Sequence, residues 1–250
     1  VEVINVIFLM LALGLVLLFL VFHKVRRIHL MMFDQSSELK KTVDNHYTQV
    51  EALMGIYHSL DLEGALPALR GWAGSPDYLL TLAKSVLKEK PKTVVECGSG
   101  SSSVVIAAAL KKNGSGHLYS LDHSPEFAEK TRLLLESLGL SDWVTVLDAP
   151  LTETNLDGEL YSWYDVSGLN VESIEFLNVD GPPRRTNSNA RYPVLPVLHS
   201  KLSDGTTVLL DDAGREDELA TVQRWKDEGL ISAEEYVTTE KGLSIMTVKN

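Results

Sequence analysis

The 250-residue chain has one cysteine, Cys97, so it can form no intrachain disulfide, which fits a reducing compartment for its main domain. Positive charge is also scarce: 23 Lys and Arg stand against 34 Asp and Glu, a formal net charge of −11. Nucleic-acid backbones are engaged through clustered cations, so this balance argues against DNA or RNA as the main partner. No internal repeat and no low-complexity tract is present. Two further absences are local. The stretch VVECGSGSSSVVIA, residues 94–107, places two glycines among four serines, yet position 103 is Ser where a dinucleotide loop wants a third glycine. The Gly-Lys-Ser/Thr of a phosphate-cradling loop is missing altogether.

Apolar residues, by contrast, dominate the start. Residues 3–22 form a run of 20 without a formal charge. At about 1.5 Å per helical residue that run measures roughly 30 Å, the thickness of a bilayer's hydrocarbon core. Glu2 precedes it, and His23, Lys24, Arg26 and Arg27 follow. A cleavable signal peptide carries its positive charge first and has a shorter apolar core. The order here predicts a single anchor over residues 1–23. The positive-inside rule then puts the amino terminus outside and all that follows Lys24 in the cytoplasm, at the cytoplasmic membrane. Ala12 and Gly14 make no small-xxx-small pair, so the anchor shows no sign of tight helix dimerisation.

Residues 24–64 read as a helical stalk. Leu39, Val43, Tyr47, Val50, Met54 and Tyr57 recur at threes and fours with Lys and Glu between them. Such a stripe serves either a short coiled coil, which would make a homo-oligomer, or a helix packed on its own domain. ALPALRGWAGSP, residues 65–76, is a Pro/Gly-rich break and the expected entry to a globular domain over 65–250.

Beyond the break, helices and strands alternate. Periodicity predicts helices over 76–88, 102–112, 125–138, 192–202 and 216–228. It predicts strands over 93–97, 117–122, 144–147, 174–180 and 207–212. The final YVTTEKGLSIMTVK reads as a hairpin around Glu-Lys-Gly. The expected fold is therefore α/β and Rossmann-like, a parallel sheet with helices on both faces and an antiparallel terminal strand.

In such sheets, ligands bind at the carboxyl ends of strands near the point where strand order reverses. Gly98 and Gly100, with Ser99 between them, let the backbone turn sharply and approach a ligand closely. Glu96 sits poorly beside a pyrophosphate and suits an ammonium group. Asp122, 22 residues beyond Gly100 at the next strand end, can accept both hydroxyls of a ribose, with His123 at the pocket edge. Asp148 and Ala149 follow the third strand, in position to edge an adenine. Together these features ask for an adenosine with a cationic, amino-acid-like tail, a description that S-adenosylmethionine meets.

VVECGSGSSS, LYSLDHSPE, VTVLDAPL and FLNVDGPP resemble successive motifs of the class I S-adenosylmethionine-dependent methyltransferases. The resemblance covers about 70 to 250. RGWAGSPD, VDGPP…ARYP and VLLDDAGR resemble a bacterial subgroup linked to O-methylation of small molecules or glycans. The resemblance implies that Glu96, Gly98 and Gly100 hold the methionine end of the cofactor, Asp122 the ribose, and Asp148 with Ala149 the adenine. It implies a small-molecule, glycan or lipid-linked acceptor.

Methyl transfer from a sulfonium is an in-line displacement, so the protein mainly aligns the acceptor and removes its proton. An alcohol acceptor needs a base or a metal ion. Asp180, Asp211 and Asp212 stand at neighbouring strand ends, where they can share a divalent cation such as magnesium or act as base. Catechol O-methyltransferase and its relatives place metal ligands after these two strands. This sequence departs from that pattern: Ala213 stands where an amide ligand is expected, and Gly181-Pro182-Pro183 where a lysine base is expected. His199 is a further candidate base, although its apolar neighbours on a predicted helix equally suit a core histidine. Arg184, Arg185, Asn187 and Arg191 form a polar loop that either clamps an anionic acceptor or is merely solvated. Trp72 and Trp163 either line the acceptor site or pack in the core. Two rival readings are a non-catalytic membrane scaffold, which needs no open cleft beside Asp180 and Asp212, and a nicotinamide-dependent oxidoreductase, which Ser103 and Glu96 disfavour.

Overall fold

A computed structural model of the chain describes residues 1–69 and 71–249; Arg70, the first residue of the RGWAGSPD stretch, lies outside them. Two compact units are present, Val1–Thr48 and Gln49–Asn250. A single helix, α1, runs Glu2–Leu60. In the first unit its apolar residues are all exposed, and this segment is long and apolar enough to cross a membrane by length and composition.

In the second unit the last turns of α1 bury Ala52, Ile56 and Leu60, spaced four apart on one face. They join a core cluster with Tyr78, Leu79 and Leu82 of α2 (Pro76–Glu89). The face that packs on the domain is thus a different one from the expected stripe, of which Tyr57 alone is half-buried. Leu39, Val43, Tyr47, Val50 and Met54 remain more than half exposed. Asp77, in the first turn of α2, ties several segments together. Its amide donates to Gln49 Oε1 (3.1 Å), and its Oδ2 accepts from Gln49 Nε2 (2.9 Å) and from the Glu240 amide (2.8 Å).

The remaining elements are β1 (Thr93–Cys97), α3 (Ser101–Asn113), β2 (His117–Asp122), α4 (Pro125–Ser137), β3 (Val144–Asp148), β4 (Leu151–Leu156), β5 (Glu159–Tyr164), β6 (Ile174–Val179), α5 (Val194–Leu198), β7 (Leu202–Asp211), α6 (Glu216–Asp227), β8 (Ile231–Val237) and β9 (Leu243–Val248). Seven strands form one sheet in the order β3-β2-β1-β6-β7-β9-β8. All neighbours are parallel except β9, which runs antiparallel to both β7 and β8. This is the expected doubly wound sheet with one reversed strand. Strand order reverses between β1 and β6, so a crevice opens at their carboxyl ends.

Strand alternation sorts the side chains. Val94, Phe176 and Leu209 face a cluster formed with α1, α2 and α3, whereas Val95, Cys97, Leu177 and Val179 face α5, α6 and the β4–β5 hairpin. That hairpin, a separate two-stranded sheet, falls in a stretch that periodicity left unassigned. Its turn is Asp157-Gly158, with φ of 52° and 90°, a pair of left-handed residues suited to a tight hairpin. The helix expected over 192–202 is cut to one turn and a half. Pro196 inside it cannot donate a backbone hydrogen bond, and the chain passes through a 3₁₀ turn, His199–Lys201, into β7.

Candidate active site

The strand tips at the crevice are fastened by backbone hydrogen bonds. Gly98 N–H donates to Leu121 carbonyl (2.8 Å), Ala149 N–H to Asp122 carbonyl (2.7 Å) and Asp180 N–H to Cys97 carbonyl (3.0 Å). Gly98, at φ 99°, lies so near β6 that a Cβ there would meet the Asp180 carbonyl oxygen at 3.1 Å. A glycine is therefore required for the loop to enter the crevice.

Asp122 ends β2 with both carboxylate oxygens engaged. Oδ2 accepts from the Ser99 amide (3.2 Å) and hydroxyl (2.5 Å), and Oδ1 accepts from the Ser124 amide (2.9 Å). Gly98, Ser99, Asp122 and His123 line one cavity of about 240 Å³, together with Phe127, Tyr164, Asp180, Pro183, Arg185 and Trp72. His123 packs its ring edge against Tyr164, with centroids 6.2 Å apart. Tyr164 reaches this wall from β5, and its buried hydroxyl has no hydrogen-bond partner among the described residues.

Glu96 is absent from this wall. Alternation along β1 turns it onto the α2/α3 face, where it is fully buried. Its Oε2 accepts from Ser103 (2.5 Å) and Ser120 (2.7 Å), and its Oε1 from Asn178 Nδ2 (3.1 Å). Tyr78 donates in turn to Asn178 Oδ1 (2.8 Å). Burial pushes the Glu96 carboxyl up from its ordinary value, against hydrogen bonds from Ser102, Ser103, Ser120 and Asn178. Ser103 also accepts from the Gly100 amide (3.0 Å), so Glu96 shapes the glycine loop from beneath. Asp148, expected at an adenine edge, is instead exposed and paired with Arg132 Nη2 (2.8 Å). Ala149 is buried, and its amide is committed to Asp122. His199 is exposed in the turn that enters β7, ten strand residues before the acids that end it. It belongs neither to the core nor to the crevice, because Pro196 ends the helix that would have buried it.

A second cavity, of about 540 Å³, adjoins the first and shares Trp72, Asp180, Pro183 and Arg185 with it. Asp180 and Asp212 line it, and one oxygen each of Asp180, Asp211 and Asp212 lie within 4.8 Å of one another. Asp212 has φ 58°, a left-handed conformation uncommon outside glycine and frequent at functional sites. Arg191, itself buried, threads this cluster. Its Nη2 donates to Asp212 Oδ2 (2.7 Å) and Asp180 Oδ1 (3.2 Å), and its Nη1 to the Asp211 carbonyl (2.7 Å). Arg215 pairs with Asp212 Oδ1 at 2.8 Å. Burial raises Asp180 to about 6; Arg191 opposes the shift and Asp212 adds to it. Asp211 is held well above its ordinary value by burial first and by Asp180 and Asp212 next.

Residues 95–213 match the family model of the methyltransferase domain. The chain carries a methyltransferase domain. Solved structures of similar fold include the methyltransferase PaMTH1 of Podospora anserina with SAH, at 13% identity and TM-score 0.57, covering 80% of this chain and 88% of that one. An O-methyltransferase from Bacillus cereus in complex with SAH is similar at 17% identity and TM-score 0.56, covering 83% and 97%. TomG of Streptomyces achromogenes, involved in tomaymycin synthesis and solved with SAM, is similar at 15% identity and TM-score 0.51, covering 81% and 89%. At these identities the likeness establishes the fold. No curated protein matches the chain in sequence.

Within this methyltransferase the acidic cluster does not fit a resident divalent cation. The guanidinium of Arg191 already occupies the space between Asp180 and Asp212, so a cation there would face a fixed positive charge and lose two carboxylate oxygens to it. Among the described residues neither oxygen of Asp211 has a side-chain partner, and burial holds its carboxyl well above its ordinary value. Arg191 stood in the sequence only as part of a loop with two readings. Tyr164, Phe127 and Lys241 of the two cavities gave no sequence signal, since each comes from an element distant in the chain.

Proposed function

We propose that this methyltransferase transfers the methyl of S-adenosylmethionine to an oxygen of a small-molecule, glycan or lipid-linked acceptor, and that it works at the cytoplasmic face of the membrane. The observation that carries the reading is the shared wall: Asp180 stands between a cavity lined by the glycine loop and Asp122 and a second cavity open to an acceptor. That open cleft is what a non-catalytic scaffold would not need.

The smaller cavity fits the cofactor in its residues: a glycine cradle at Gly98, the Asp122 carboxylate, and the unpartnered Tyr164 hydroxyl. S-adenosylmethionine supplies the electrophilic methyl when bound. Asp122 has about one lone-pair site unused, so it takes one ribose hydroxyl directly. To take both, the Ser99 hydroxyl turns from Asp122 to Thr131 Oγ1, already 3.0 Å away. Gly98 and Gly100 border the methionine end, while Glu96 acts beneath the loop without touching it. Asp180, raised to about 6, is largely ionised at neutral pH yet basic enough to take the proton of an acceptor hydroxyl as its oxygen attacks the methyl. Arg191 and Arg215 supply the positive charge that keeps Asp212 ionised beside it.

Residues 1–23 serve as the anchor with the amino terminus outside, and the exposed stripe of α1 pairs copies of the chain along the stalk of residues 24–64. Titration calorimetry of the full chain with S-adenosylmethionine and with NAD tests the cofactor half of this reading. Binding of the first alone, lost in Asp122→Ala, is expected. Binding of NAD, or of neither, overturns it.

A further inference from the structure

We infer that the larger cavity takes an acceptor bearing an anionic group, a carboxylate or a phosphate, beside the oxygen to be methylated, with Arg185 and Lys241 as its counter-charges. This rests on the methyltransferase reading of that cavity. In a chain of net charge −11, five of the ten described residues lining this one cavity are cations. Their partners divide them into two kinds. Arg191 and Arg215 are spent on Asp212, with Arg191 also on Asp180, and Arg184 pairs with Asp217 at 2.9 Å. Those three serve the protein itself. Arg185 and Lys241 have no carboxylate partner among the described residues. The Lys241 ammonium donates once, to the Ala73 carbonyl at 2.9 Å, which leaves two donors unused. Arg185 lies over the Trp72 ring, 5.6 Å from its centroid, a contact that steadies the guanidinium without engaging its N–H fork.

The two charges are also placed to matter. Arg185 lines both cavities, as Asp180 does, and Lys241 is close enough to Asp180 to draw its carboxyl downward. An anion held between them sits next to the base, at the junction of cofactor and acceptor spaces. The planar fork of Arg185 suits two oxygens of a carboxylate or phosphate, and the Lys241 ammonium adds a point charge. Against this stands the chain's overall negative charge, which repels anions at a distance. That long-range repulsion is screened by salt, and among the described residues lining the cavity cations outnumber acids five to two. Lys241 is held from two sides, since the Gly214 amide donates to its carbonyl (3.1 Å) and its ammonium is bound to Ala73. It is thus presented rather than free to fold away into solvent.

The test uses the full chain in neutral detergent, given labelled S-adenosylmethionine and extracts of host membranes and host cytosol. Labelled products are resolved on an anion exchanger and partitioned between chloroform–methanol and water. The expected result is a retained, anionic product. Its appearance in the organic phase marks a lipid-borne anion and in water a soluble one, and either supports the inference. With the purified product's precursor, Arg185→Gln and Lys241→Gln each raise KM about tenfold or more, with kcat less affected, and added salt narrows the difference. Arg185→Lys, which restores the charge without the fork, recovers only part of the loss. Cofactor affinity and melting temperature, unchanged in Lys241→Gln, exclude a folding defect. A neutral product, or unaltered KM in both Gln variants, overturns the anionic acceptor while leaving methyl transfer intact. Label in no product overturns the methyltransferase reading itself.

Discussion

Asp180, the base in the proposed function, carries the sharpest expectation because its environment raises its carboxyl. A carboxyl raised to about 6 is protonated below that pH and cannot accept a proton there. The methyl-transfer rate should therefore fall as pH drops through about 6 and level off above it, read from a pH profile of kcat at saturating acceptor. Asp180→Asn should lower kcat by about 10²–10⁴-fold and flatten that limb, with cofactor affinity kept. Arg191 yields a second expectation. Since its guanidinium holds the acids, a chelator should leave activity unchanged and added Mg²⁺ should not raise it. Arg191→Met should strip a buried charge pair and cost about 3–5 kcal/mol, measured by denaturant unfolding. A chelator that abolished activity would show that a metal ion displaces the arginine during turnover.

At the scale of elements, the glycine loop and the sheet act as one piece. Gly98→Ala forces a Cβ toward the Asp180 carbonyl from a left-handed φ, so it should cost roughly 1–3 kcal/mol of stability and weaken cofactor binding more than tenfold. Calorimetry and thermal melts measure both. The alternation of strands and helices was legible in the sequence because it rests on local periodicity. The loop at 98–100, Asp122 and Asp180 were legible because strand ends in such a sheet converge. Glu96 stands near a strand end as well, yet it is buried beneath the loop, while Asp148 is exposed and paired with Arg132. Which face a strand residue takes depends on register with its neighbours, and a buried serine–asparagine set proved the stronger claim on Glu96 than a ligand. The β4–β5 hairpin carried a signal in Asp157-Gly158, but the alternating run around it is short and polar. Arg191 was harder still, for its partners lie 11 and 21 residues away and meet it only when the loop after β6 folds back. On α1, the exposed stripe makes a separate expectation. Val43→Lys with Val50→Lys should shift the full chain in detergent from oligomer to monomer by light scattering, while leaving cofactor affinity unaltered.

For the whole molecule, the proposed anchor over residues 1–23 bears on where the chain resides. It should fractionate with membranes and resist extraction by high salt or alkaline carbonate; release by either would mean that the span does not cross a bilayer. The Asp77 junction bears on how this molecule tolerates being shortened. Cutting at the Pro/Gly break near residue 65 would remove Gln49, Ala52, Ile56 and Leu60 together. That trims away a partner of the α2 amino terminus and lays bare a strip of apolar core. Since Asp77 also grips the amide of Glu240, next door to Lys241, the injury would spread to the mouth where the acceptor enters. A shortened chain that drops the apolar span must accordingly begin upstream of Gln49, at a point where the sequence alone offers no punctuation.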